Sequence, residues 1–118
     1  MTTDAEIEAE IQAKGLIAPR ITPQSIERAI IDENYFTAAD GIAGSARALR
    51  SSLHESLGLL TFCVLVMRNG FTVVGKSACA SPENFDAELG RKIARQDAIN
   101  QIWPLEGYRL RSELAKAA

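Results

Sequence analysis

Two runs of β-branched and aromatic residues, joined by the dipeptide Asn69-Gly70, constrain the fold of this chain more than any other feature. The runs are residues 61–68 and 71–78, and an Asn-Gly pair between such runs is the strongest short-range signal of a β-hairpin. A two-residue turn with positive φ at both residues fixes the register, because it places Arg68 opposite Phe71 and Met67 opposite Thr72. The sequence therefore predicts an antiparallel hairpin at about residues 60–78.

This register places apolar side chains on both faces of the hairpin. One face would hold Phe62, Val64, Val66, Phe71 and Val73, and the other would hold Cys63, Leu65, Met67, Thr72, Val74 and Lys76. A ribbon that is apolar on both faces is normally covered on both sides. Helices can cover one face and a second subunit part of the other, so we expect a homo-oligomer. The same register separates Cys63 from Cys79 and argues against a disulfide.

Helix caps and stop signals predict four helices around the hairpin. They cover residues 3–14, 22–33, 45–57 and about 82–103, with Tyr35-Phe36 leading into a loop at residues 40–44. The last helix is expected to end before Pro104. The first has only a thin apolar stripe, so residues 1–19 are expected to be peripheral or to contact a partner. The fold class is α+β, with N-terminal helices, a central hairpin and a long packed helix.

Length and composition indicate one globular domain, residues 1–118, because 47% of the 118 residues are hydrophobic. The longest apolar run, residues 57–67, is too short to cross a membrane. The acidic N-terminus lacks a signal segment, so we expect a cytoplasmic protein without a membrane contact. Two cysteines and one histidine do not provide a metal site, and no cofactor is predicted.

A basic cluster is the best candidate for a binding site. The net charge of −2 combines an acidic first segment with a basic last one, and Arg91, Lys92 and Arg95 lie within that basic segment on the predicted last helix. Two interpretations stay open: a solvated face with internal salt bridges, or an anion site for a small nucleotide or RNA. Tyr35, beside a glycine-containing loop, is the aromatic side chain best placed to stack on a base.

The order strand, tight turn, strand and basic helix is similar to the C-terminal half of double-stranded-RNA-binding domains. Those domains have three strands, however, where this sequence predicts one hairpin. The same helix also carries Glu83, Asp86 and Glu88, which would repel a phosphate backbone. A nucleic-acid-binding module that uses this basic face is therefore the alternative function rather than the first.

The residues give little support for catalysis. His54 is the only histidine and no convincing nucleophile stands near it in the sequence, while Cys79, just before the predicted last helix, has no histidine fixed beside it. The loop at residues 40–44 lacks the Gly-Lys-Ser/Thr ending of a phosphate loop. We therefore expect a protein that is not an enzyme.

Several motifs in order resemble a family of small tailed-phage and prophage proteins, the gene-product-49 / gene-66 family. They are residues 57–64 (LGLLTFCV), 69–73 (NGFTV), 77–86 (SACASPENFD), 90–95 (GRKIAR) and 102–108 (IWPLEGY), extended upstream by Thr22-Pro23 and residues 35–38 (YFTA). The resemblance covers roughly residues 20–113, whereas residues 1–19 and 42–56 fit less well.

The resemblance implies a phage or prophage gene expressed in the bacterial cytoplasm, and small phage proteins of this kind often act on host machinery or host defence by binding. The first hypothesis is therefore a non-enzymatic accessory protein that binds a host protein or a small nucleotide signal. A structural phage protein is a further alternative.

Overall fold

The computed structural model describes residues 3–45 and 52–118 and shows an α+β fold, as predicted. Its helices are α1 (Asp4–Ala13), α2 (Pro23–Ala29), α3 (Ala38–Ala43) and α4 (Ala87–Ala117). Its strands are β1 (Ile30–Thr37), β2 (Leu60–Met67) and β3 (Thr72–Ala78), and short 3-10 helices cover Glu55–Leu59 and Pro82–Asn84.

The sheet has three antiparallel strands in the order β1-β2-β3, so the predicted hairpin of β2 and β3 is confirmed and extended by a strand. The prediction that the second helix runs to residue 33 is wrong, because α2 ends at Ala29 and β1 follows at once. Ile30-Ile31 and Tyr35-Phe36 are strong strand formers. In β1 they pair with β2, where β-branched and aromatic side chains pack well against the neighbouring strand.

The predicted register of the hairpin is wrong by one residue. Met67, not Arg68, lies opposite Phe71, because its N–H donates to the Phe71 carbonyl at 2.8 Å and its carbonyl accepts from Gly70 N–H at 2.8 Å. Only Gly70 of the turn has a positive φ, of 89°. The connection is therefore a three-residue loop with a glycine bulge, a common hairpin geometry.

A shift of one residue moves every β3 side chain to the other face. Val73 and Gly75 accordingly lie opposite Leu65 and Cys63, while Val74 and Lys76 share a face with the even-numbered β2 residues. Both cysteines are free thiols, but the argument from opposite faces no longer applies. Cys79 lies four residues beyond the partner of Cys63, about 13 Å along the strand. That separation is too large for a disulfide.

The segment between β1 and β2 also differs from the prediction. The expected loop at residues 40–44 is mostly helix α3, whose Thr37 cap accepts from Asp40 N–H at 3.1 Å while Asp40 accepts from Thr37 N–H at 3.0 Å. Of the predicted third helix, residues 46–51 lie outside the described residues. Residues 52–54 are not helical, and His54 instead caps a 3-10 helix by accepting from Ser56 N–H at 3.1 Å.

The long last helix is confirmed, but both of its predicted ends are wrong. It begins at Ala87, because the Asp86 side chain accepts from Leu89 N–H at 3.0 Å and so provides a better cap than Ser81. It continues through Pro104 to Ala117. Pro104 removes the donor for the Asn100 carbonyl, and Asn100 is exposed, so water can replace that donor.

The core lies between one face of the sheet and α4. Cys63, Leu65 and Val73 pack beneath Ala94, Ala98 and Ile102, and Ile26 of α2 closes one end. The last turns of α4 extend past the sheet, and the molecule measures 60 × 31 × 17 Å. Its radius of gyration of 18.1 Å exceeds the roughly 13.5 Å of a compact chain of this length.

Helix α1, within the segment predicted to be peripheral, docks beside α2 and α4. Trp103 Nε1 donates to Asp4 at 3.3 Å, and the buried Glu8 pairs with Arg20 at 2.5 Å. These polar contacts fix a helix whose apolar stripe is too thin to hold it alone. Glu8 also accepts from Gln12, and these hydrogen bonds lower the pKa of Glu8 to about 2.

Candidate functional site

The predicted basic cluster lies near the start of α4, and its last residue, Arg95, is neutralised by two carboxylates. Arg95 Nη2 lies 2.6 Å from Glu27 of α2 and 2.8 Å from Glu33 of β1. Hydrogen bonds to Glu27 and then Glu33 raise the pKa of Arg95 above its ordinary value. Arg95 therefore joins α4 to the end of α2 and the start of β1.

Tyr35 belongs to the same network through Glu33, so the structure brings Tyr35 and Arg95 together. The Tyr35 hydroxyl donates to Glu33 at 2.9 Å, and the ring is half-buried against the core. Burial, and to a lesser extent the hydrogen bond to Glu33, raises the pKa of Tyr35. Arg95 and Tyr35 in turn lower the pKa of Glu33 by hydrogen bonding to its carboxylate.

The other two basic residues differ in their surroundings. Lys92 pairs with Glu88 one turn earlier at 3.5 Å, with both side chains largely exposed. Arg91 is exposed and has no ion-pair or hydrogen-bond partner in the described part of the chain. An anion approaching this face would compete with carboxylates for two of the three basic groups.

A cleft at the hairpin-turn end of the sheet holds positive charge that is less neutralised by carboxylates. It has a volume of about 610 Å³ and lies between the end of α2, the hairpin turn and the second half of α4. Its lining includes the apolar side chains Met67, Phe71 and Leu105. Phe71 is 56% exposed and Leu105 46%, so a ligand in the cleft would bury apolar surface that is now in water.

Three arginines, Arg28, Arg68 and Arg109, also line this cleft. Arg109 is neutralised by Glu106 at 2.5 Å and Glu113 at 2.7 Å, and Glu106 is the carboxylate that lines the cleft. Arg28 and Arg68 have no carboxylate partner within residues 3–45 and 52–118. The cleft therefore combines an apolar surface with two uncompensated guanidinium groups.

The hairpin turn holds Arg68 in place. Its backbone N–H donates to the Ala29 carbonyl at 2.7 Å, and its guanidinium donates to the Arg28 carbonyl. Both acceptors are carbonyls at the C-terminal end of α2, where a cation is favoured by the helix dipole. Arg68 thereby ties the turn to α2 and brings the side chain of Arg28 to the same cleft.

The composition of the cleft suits the binding of an anionic ligand that has an apolar or aromatic part. Guanidinium groups bind phosphate or carboxylate through paired N–H donors, and an exposed phenylalanine ring can stack on a base. Volumes of 300–1,000 Å³ are usual for small-molecule sites. Within the described residues, no group of three or more His, Cys, Asp or Glu side chains could hold a metal ion.

Sequence reasoning missed this cleft because Arg28, Arg68 and Arg109 are scattered along the chain. The only local signal was an arginine directly before Asn69-Gly70, where a turn presents its first residue at the end of the sheet. That signal predicts the position of Arg68 alone. The contact between this turn and α2 depends on β1, whose first half (residues 30–33) was predicted to be helical.

These features define a small α+β protein with a cationic, partly apolar cleft. The family model for the phage protein family of N4 Gp49 and phage Sf6 gene 66 matches residues 21–114. The chain belongs to this family, and the resemblance noted in the sequence is confirmed. No curated protein and no solved structure matches the chain. None of the helices in the described ranges is long and apolar enough to span a membrane.

Proposed function

We propose that this phage protein is an accessory protein that acts by binding a small nucleotide-type ligand in the cleft of Arg28, Arg68 and Phe71. The observation that carries the proposal is a pair of arginines beside an exposed aromatic ring, neither of which pairs with a carboxylate of the described residues. A nucleotide offers the matching chemistry, a phosphate group and a flat base. A role in host takeover or anti-defence would follow if the ligand is a host signal.

The cleft is a better binding site than the cluster of Arg91, Lys92 and Arg95, because that cluster already binds carboxylates of the protein. Arg95 and Lys92 already hold carboxylates, so a ligand there would have to displace Glu27, Glu33 or Glu88. Arg91 lies 14 residues before Leu105 on α4, about 21 Å along the helix. Arg91 is therefore far enough from the cleft to be tested independently of it.

Isothermal titration calorimetry with ADP and cyclic di-AMP tests the proposal. We expect binding by at least one nucleotide, and weaker binding by pyrophosphate and by adenosine, each of which offers half of the chemistry. Arg28→Ala and Arg68→Ala should each weaken binding about 10- to 100-fold, because each removes charge-assisted hydrogen bonds.

Arg91→Ala is the matched control, since it removes an exposed arginine from the same protein without touching the cleft. It should leave the affinity unchanged. Loss of binding in Arg91→Ala with retention in Arg28→Ala would assign the ligand to the face of Arg91, Lys92, Arg95 and Tyr35. If neither ADP, cyclic di-AMP nor duplex RNA binds at low salt, both the proposal and the nucleic-acid alternative are contradicted.

A further inference from the structure

The sheet face that points away from α4 has more apolar side chains than the solvated face of an antiparallel sheet usually has. It holds Phe36, Phe62, Val64, Val66 and Val74 beside the polar Asp32, Asn34, Thr72 and Lys76. The register places Phe36 beside Phe62 and Val64 beside Val74 on this outer face. The two phenylalanine rings are 5.4 Å apart, and Val74 is 48% exposed. Helix α3 reaches only the end of the face, where Gly41 lies against Phe36.

The outer edge of β3 is partly covered by α4, so a partner is more readily accommodated on the outer face than at this edge. Lys76 N–H donates to Asp97 at 2.9 Å, and the Val74 carbonyl accepts from Gln101 at 2.7 Å. Side chains of α4 thus satisfy two of the backbone groups through which β3 could otherwise have paired with another strand. A partner on this side of the sheet would meet side chains rather than backbone.

Two opposite charges occupy opposite corners of the outer face. Asp32 lies on β1 opposite Val66, and Lys76 lies on β3 opposite Phe62. Both are exposed, and neither has an ion-pair partner in the described parts of the chain. Asp32 accepts one hydrogen bond, from Asn34 Nδ2 at 3.0 Å. Four residues along the strands and two strand spacings across the sheet separate Asp32 from Lys76 by about 16 Å, so they do not pair within one molecule.

This arrangement is complementary to itself. Consider two copies whose outer faces meet, related by a two-fold axis that lies midway between the sheets and over Val64. When this axis is perpendicular to the line from Asp32 to Lys76, each Asp32 lies over Lys76 of the other copy. The strands of the two sheets then cross at a steep angle, near the orthogonal class of sheet packing. Both ion pairs form and the valines meet at the centre.

We infer that the outer sheet face is a homodimer interface in which Asp32 of each copy pairs with Lys76 of the other. The apolar centre supplies the burial that stabilises the dimer, and the two corner pairs fix its orientation. The inference is independent of the nucleotide cleft, because the cleft lies against α2 and α4 and contains neither residue.

Sedimentation-velocity centrifugation of the full chain over a range of concentrations tests the interface. The wild-type protein should be dimeric, whereas Asp32→Lys and Lys76→Asp should each raise the dimer dissociation constant at least tenfold, since each places like charges together at both corners. An equimolar mixture of the two variants should regain the dimer, because every corner then carries one positive and one negative charge. The double variant should also regain it.

Lys92→Asp, which reverses a charge on α4, is the matched control and should leave the dimer unchanged, and circular dichroism checks that every variant is folded. Val64→Lys should give a monomer. A monomeric wild-type protein overturns the inference and leaves the face to a different partner. A dimer insensitive to Val64→Lys and Asp32→Lys assigns dimerisation to another surface, and failure of the mixed variants to reassociate overturns the ion pair.

Discussion

Gly75 of β3 lies directly against the backbone of α4 at Ala94. A Cβ built at Gly75 would be 2.0 Å from the Ala94 carbonyl oxygen and 2.4 Å from the Ala98 nitrogen. Both alanines are fully buried, so the helix rests on the strand with no side chain between them. This contact sets the distance between α4 and the sheet and positions the second half of α4 beside the hairpin turn.

Gly75→Ala should destabilise the fold by about 3 kcal/mol or more, because α4 has to move away from the sheet to admit the methyl group. Urea denaturation followed by circular dichroism measures the change. Gly107→Ala in α4 is the control: no atom lies within 4 Å of the added Cβ, and alanine should stabilise the helix by about 0.5–1 kcal/mol. Equal effects at the two positions would refute the close contact.

The ion pair between Arg95 and Glu27 should contribute modestly to stability. Their side chains are 28% and 54% exposed, so solvent screens the pair and we expect a coupling free energy of about 0.5–1 kcal/mol. A double-mutant cycle with Arg95→Met and Glu27→Gln measures it, and methionine retains the apolar stem of the side chain. A coupling of zero would mean that the pair does not persist in solution.

Arg95 should also control the titration of Glu33. Because the folded-state pKa of Glu33 is lowered, its contribution to stability is present above the ordinary glutamate pKa and is lost as the pH falls through the lowered value. Arg95→Met should raise the pKa of Glu33 and shrink this pH dependence. Carboxyl-detected NMR titration reports the pKa directly; an unchanged value in the variant would rule out the contact.

Glu8 should hold helix α1 in place down to strongly acidic pH. With a folded-state pKa of about 2 against an ordinary value of 4.5, its stabilisation is present above about pH 4.5 and is lost as the pH falls toward 2. Trp103, the only tryptophan, contacts α1 and reports its release by fluorescence. Glu8→Gln should release α1 at neutral pH, whereas Glu10→Gln, at an exposed pair with Lys14, should not. Identical profiles for the two variants would contradict the assignment.

The sequence predicted those elements whose signals are local. Asn69-Gly70 located the hairpin, and Thr3 and Thr22 located the starts of α1 and α2. Strand β1 was missed because its stability depends on pairing with β2, about 30 residues away, which no short window contains. The register was missed because Asn-Gly also occurs in three-residue loops, where only the glycine takes a positive φ.

The candidate sites also divide into those with a local sequence signal and those that form only when distant residues meet in the fold. Arg91, Lys92 and Arg95 stood out because they are close in sequence, yet two of them pair with carboxylates in the fold. The cleft depends on where α2, the turn and α4 meet, and the continuation of α4 through Pro104 supplies Leu105 and Arg109. A prediction that ended the helix at residue 103 could not place those side chains.

Binding in the cleft should depend on salt. With Arg28 and Arg68 as the uncompensated charges, the affinity for ADP should fall as the salt concentration rises, because the ions screen the attraction between guanidinium and phosphate. Titrations at two salt concentrations measure the effect. The dependence should weaken in Arg28→Ala, and an affinity that does not change with salt would mean that phosphate recognition by arginine is absent.

The most direct test of the account is to map the ligand contact by NMR. Addition of ADP or cyclic di-AMP to the isotope-labelled protein should shift the backbone amides of residues 67–71 together with those of Ala29 and Leu105, and these shifts should be absent in Arg68→Ala. Shifts confined to Tyr35, Arg91, Lys92 and Arg95, or no shifts with either nucleotide, would contradict the proposal that the cleft is the binding site.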